Sequence, residues 1–169
     1  IKVNGSSVSD GFDATLEEVL HLISHNGYAY AYPEIFGMIS YGENSGSAMT
    51  NAMDTARGGF ANSIPDSYPS GAWYTYKDES CNYICQASEY FYWALTTKLG
   101  LQEYSGRSDE FADEWKVTSS SDFASTDSKM NAILSKSGAY SGYSYDIPDA
   151  SPDTSYTPTS FTVEAVGRP

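Results

Sequence analysis

His21 and His25 are the only two imidazoles in a chain of 169 residues, and they stand four residues apart. They fall in the stretch Thr15 to Gly27, TLEEVLHLISHNG, where Leu16, Val19, Leu20, Leu22 and Ile23 recur at a spacing that suits an amphipathic helix better than a strand. Residues four apart on a helix stack on one face, so both rings can be aimed at one ion. That is the geometry of two zinc ligands. A third ligand is offered by Glu89, which lies among aromatic and small residues in Gln86-Ala87-Ser88-Glu89-Tyr90-Phe91. A buried carboxylate is costly unless it is paired or bound to a cation. The competing reading puts Glu89 on an exposed stripe or in a hydrogen bond with a tyrosine.

Two helices must bring these groups together. The first is expected to start at Thr15, with Glu18 completing a capping box, and to stop at Asn26-Gly27. The second, Asn82 to Leu99, is closed by Gly100 and apolar almost all round, which predicts a central position. Between them, Tyr28 to Gly46 reads as a loop in which Pro33 bars a long helix. Ser47 to Arg57 reads as a helix capped by Ser45 or Ser47 and ended by Gly58-Gly59, with Ala48, Met49, Ala52, Met53 and Ala56 on one face. Asn62 to Glu79 reads as ordered but irregular, followed by short helices around Ser108 to Trp115 and Thr126 to Ser135. Residues from Ser137 onward, carrying Tyr140, Tyr143, Tyr145, Pro148, Pro152 and Pro158, read as an extended tail across the body. Ile1 to Asn4 and Phe161 to Val166 are the only candidate strands. The expected fold is therefore mainly α (α+β with minimal sheet), in one domain spanning 1–169.

The helix pair resembles the zincin metallopeptidases, nearest to the lethal factor-type catalytic domain. That group follows its two-histidine helix with a Glu-Phe-Phe helix; here Glu89-Tyr90-Phe91 stands at the comparable place. The resemblance implies that His21, His25 and Glu89 hold zinc. It also implies that a tyrosine shortly before the glutamate steadies the oxyanion, Tyr83 being nearest and Tyr76 a looser candidate. The chain departs from H-E-x-x-H, whose glutamate is the general base: that position is Leu22, and the acid of the inverted motif H-x-x-E-H is replaced by Ser24. Glu18, one turn before His21, is the candidate substitute, as base, further ligand or carboxylate orienting an imidazole. Glu17 is a similar orienting option.

Composition narrows the partners. A formal net charge of −13, from 22 acidic against 9 basic residues, opposes binding to nucleic acid or an anionic membrane. No apolar run approaches the roughly 18 residues of a membrane span. The chain starts at Ile1, so it is expected to be processed or a piece of something longer. Fifteen tyrosines, much Ser, Gly and Thr and few lysines suit a secreted, extracellular protein. Cys81 and Cys85, a helical turn apart, are within reach of a disulfide, with two free thiols as the alternative.

Other charged groups carry less. Asp54 and Arg57 predict a local ion pair, Arg107 with Asp109 and Glu110 a solvated turn. Asp146, Asp149 and Asp153 leave room for a loose Ca²⁺ site but are spaced too irregularly for an EF-hand.

The leading reading is a secreted zinc-binding, zincin-like domain acting on a peptide or protein substrate through zinc-activated water, with Glu18 and Tyr83 assisting. The alternative is a non-catalytic extracellular structural or adhesive module that keeps the metal site and self-associates through its tail. A third reading is a metal-free helical domain with hydrogen-bonded histidines.

Overall fold

Helix α5, Tyr83–Lys98, is the rod on which the other helices pack. Asn82 caps it, its side-chain oxygen accepting from the Cys85 backbone N–H at 3.0 Å. Gly100, at φ +74°, follows its end, where a left-handed residue closes the last turn. Residues 86–97 are all buried, as a helix apolar on every side requires. The computed structural model describes residues 14–135 and 143–148, together with the backbone of 2–3 and 6–7.

Along the chain the elements are β1 (Lys2–Val3) paired antiparallel with β2 (Ser6–Ser7), α1 (Thr15–Leu22), a π-helical turn (Ile23–Tyr28), α2 (Ala29–Ala31) and α3 (Pro33–Phe36). Then come α4 (Ala48–Ala56), α5, α6 (Arg107–Phe111), α7 (Ser120–Thr126) and α8 (Ser128–Leu134). The fold is mainly helical. Helices α1, α4, α7 and α8 contact α5 directly, and α4 also packs on α8. The core is strongly aromatic: Tyr74, Tyr90, Phe91, Trp115 and Phe123 are fully buried. Among the described residues no helix is long and apolar enough to cross a membrane.

The helix bearing the histidines departs from expectation at both ends. Ala14 stands at its N-cap, with no side-chain hydrogen bond there, so the expected Thr15–Glu18 box does not provide the cap. Asn26-Gly27 does not stop the helix. The backbone widens instead into the π turn, where Ala29 N–H reaches Ser24 O, and continues to Ala31. Tyr28 explains the continuation: its ring packs 4.9 Å from Phe36 and 5.9 Å from Phe91, which secures the turn after Gly27. Pro33 ends the run by disfavouring a helical residue before it. The supposed loop from Tyr28 thus contains α2 and α3.

Ser47 caps α4 as expected, accepting from Thr50 N–H at 3.1 Å, and Gly58 beyond it has φ +85°. The helix expected around Ser108 is only α6, and α7 was not anticipated. In place of a tail strand, residues 143–148 form a strap. Tyr28 Oη donates to Asp146 O, Tyr32 Oη to Ser144 O at 3.1 Å, and Tyr145 Oη to Ile133 O at 2.8 Å. Phe161 to Val166, the rest of the tail, and Asp149 and Asp153 of the suggested Ca²⁺ site lie outside the described residues. Cys81 and Cys85 are joined in a disulfide across the start of α5.

Candidate metal centre

The inner face of the first helix runs through Glu17, Leu20, His21, Ser24 and Tyr28, which are buried or half-buried. Four residues at about 100° each return a helix to about 40° from its starting direction. His21 is already at one edge of this face, so His25 lies beyond it and is exposed. The residue four before His21 is the one that shares its inner face, and that residue is Glu17.

Glu17, His21 and Glu89 accordingly form a group whose ligand atoms lie within 4.8 Å of one another. The structure brings together two of the three expected ligands, His21 and Glu89. It leaves His25 outside the group and puts Glu17 in its place. This is a correction to the two-histidine reading: the same-face argument holds, one turn nearer the N-terminus.

Glu89 is buried, at 8% exposure, and its Oε1 accepts from Tyr76 Oη at 3.2 Å. Its Oε2 stands 3.5 Å from His21 Nε2, longer than a formed hydrogen bond. His21 Nε2 is buried and has no hydrogen-bond partner. Two ligands on a tetrahedral zinc, with bonds of about 2.1 Å, are about 3.4 Å apart. The observed separation is that of two atoms sharing a cation. A His/Glu/Glu group of this kind could hold a metal ion.

Electrostatics favour a positive occupant. Burial, reinforced by the Glu89 charge, pushes the Glu17 pKa up to about 7. The Glu89 carboxylate facing Nε2 raises His21, against the opposing effect of burial. Burial and the same carboxylate raise Tyr76 and Glu114. Several acids therefore crowd one imidazole, and protons take the place a cation would fill.

Glu18 does not face the group. Its Oε2 is 3.7 Å from His21 Nδ1, the ring's other nitrogen, and its side chain is 72% exposed. Of the three roles open to it, orienting the imidazole is the one its position suits. Tyr83 is elsewhere. Six residues before Glu89 on one helix, it is roughly 240° round the axis. Its hydroxyl donates to Asp54, 3.1 and 3.0 Å from the two carboxylate oxygens. Tyr76, the looser candidate, is the tyrosine that reaches Glu89. Glu114 was not anticipated: it sits in a turn after α6, where no periodicity singles it out.

Two other charged groups also differ from expectation. Arg57 and Asp54 do pair, at 3.3 Å, but deep in the core. Arg107 pairs with Glu110 at 2.7 Å, yet is itself buried against Trp93 and Phe111 instead of solvated.

Compared with models of protein families, with curated proteins and with solved structures, the chain matches none, so the site's own geometry carries the functional reading.

Proposed function

We propose that this chain is a secreted zinc-dependent hydrolase of zincin-like character, with peptide bonds as its substrate and Glu17, His21 and Glu89 as its zinc ligands. The observation that carries the reading is His21 Nε2, a buried ring nitrogen without a partner, set against two carboxylates. Leaving such an atom unsatisfied costs about 1–3 kcal/mol, a cost that coordination removes. Three protein ligands leave one position open on a tetrahedral ion.

Bound there, zinc supplies a Lewis acid for a water and a carbonyl oxygen. The chain's own groups do the rest. Glu18 beside Nδ1 favours the tautomer protonated on that nitrogen, which turns the Nε2 lone pair inward. Tyr76 holds the Glu89 carboxylate by its hydroxyl and is the O–H donor nearest the group. The Cys81–Cys85 disulfide at the start of the Glu89 helix suits an oxidising compartment, which supports secretion.

The test is metal analysis of the purified chain with a peptidase assay, each run with and without chelator. One zinc per chain and chelator-sensitive cleavage are expected; absence of stoichiometric zinc sinks the reading. A second reading, a non-catalytic module keeping the ion for stability, is favoured by one observation: Leu22, at the base position of the zincin motif, is 62% exposed and inert. Stoichiometric zinc without turnover would select it.

A further inference from the structure

The first helix offers no base. Leu22 points outward, Ser24 is buried with its hydroxyl donating to His21 O at 3.2 Å, and Glu18 faces the far nitrogen of the imidazole. Opposite this helix runs the extended segment 73–77, paired with 114–116. Thr75 N–H donates to Glu114 O at 2.7 Å, Lys116 N–H to Trp73 O at 3.0 Å, and Tyr74 bridges Trp115. This pairing fixes the Glu114 backbone beside the segment that carries Tyr76.

The Glu114 side chain is half-buried and lies against the Trp93 indole. Trp93 is four residues after Glu89 on α5, so the two share a face one turn apart, about 5.4 Å along the axis. Only two buried side-chain N/O atoms among the described residues lack a well-formed hydrogen bond: His21 Nε2 and Trp93 Nε1. Both belong to this one place. The indole N–H faces Glu114 and favours its charged form, while burial and the Glu89 charge hold its pKa up. The electrostatic influence of Glu114 reaches Glu17 and Tyr76 as well, which puts it in the same cluster.

We propose that Glu114 is the proton acceptor of the site, taking over from the far side the role that Leu22 cannot fill. The inference rests on the metal-dependent hydrolysis proposed above. Water oxygen bonds to the substrate carbonyl carbon while one of its protons passes to the Glu114 carboxylate. That proton then moves to the amide nitrogen as the C–N bond breaks, and one water is consumed for one acid and one amine. Trp93 is a positioning residue, its N–H setting the angle of the carboxylate.

The experiment compares wild type, Glu114→Gln and Trp93→Phe, each loaded with Co²⁺ as a visible probe and assayed as the zinc form. Glu114→Gln is expected to bind cobalt stoichiometrically and to lose 10²- to 10⁴-fold in kcat with KM little changed. The pH midpoint of its cobalt absorption spectrum should fall by about one unit, because a carboxylate near the titrating water is gone. Trp93→Phe should shift the midpoint in the same variant series by less, and carries the test if Glu114→Gln does not fold. Unchanged kcat and midpoint overturn the proposal. So does loss of cobalt from Glu114→Gln, which would make Glu114 a ligand. Wild type that binds cobalt without turnover leaves the midpoint to decide, whereas wild type that takes up no cobalt defeats the metal reading itself.

Discussion

Two clusters of buried charge flank α5, and they are built on opposite principles. In the first, Asp54, Arg57, Tyr83 and Gln86 satisfy one another. The Arg57 guanidinium donates to Gly59 O, Gln86 Oε1 and Ala61 O, stands 3.3 Å from Asp54, and lies over the Tyr83 ring. Both Asp54 oxygens accept from Tyr83. In the second, acids outnumber the single imidazole, two donor or acceptor atoms are left over, and protonation does the balancing. A closed network with no spare valence holds helices together. An open one, with spare valence and surplus negative charge, waits for something positive.

The comparison breaks most visibly at Arg57. Arg57→Ala strands a buried carboxylate, and the expected loss is about 3–5 kcal/mol in urea or thermal unfolding. If the loss is under 1 kcal/mol, the first cluster is not the structural one. Zinc gives the next largest effect. At a hundred times its Kd it should add about 2.7 kcal/mol, read as a rise in Tm that chelator reverses. Glu89→Gln should abolish that rise, and retention of it would remove Glu89 from the ligand set.

Acidity sharpens the contrast. Folded Glu17 keeps its proton to about pH 7, whereas an unfolded glutamate releases it near the model value of 4.5. Folded His21 likewise keeps its proton above the ordinary histidine range. Between unfolded and folded pKa the native state binds more protons, so stability of the metal-free protein falls as pH rises from 5 to 8. Ligands must be deprotonated to coordinate, so zinc affinity rises across the same window. Melting curves at pH 5 and 8, with and without zinc, should therefore show a zinc-dependent gain that is larger at pH 8. A gain independent of pH would speak against Glu17 as ligand. The smallest effect is assigned to His25→Ala, which should change stability and zinc binding by no more than about 0.5 kcal/mol. Loss of zinc there would restore the two-histidine site.

Much of the site was legible because it follows from periodicity. Helix α5, its cap, its burial and Glu89 within it could be read from an apolar pattern closed by glycine, and α4 from its small-residue face. Choosing between Glu17 and His25 as the partner of His21 could not. Both are four residues away, and only the direction in which the helix docks on α5 separates them. That direction depends on Tyr28 packing against Phe36 and Phe91. Leu16, Val19 and Leu22, which in sequence seemed to mark the inner face, are exposed. Tyr76 and Glu114 come from irregular segments, where no repeat indicates which side chain faces inward. Their placement rests on two backbone hydrogen bonds across some forty residues.

The strap at 143–148 has a consequence for biosynthesis. Its hydrogen bonds reach back 118 residues to Tyr28 and 112 to Tyr32, on the segment that continues the His21 helix. Chain emerging from a ribosome cannot make those contacts until nearly all of it has been translated, however early α1 forms. Final seating of that helix is therefore a post-synthetic event, and a nascent chain stalled before Tyr143 would present the acidic cluster with its helix not yet locked.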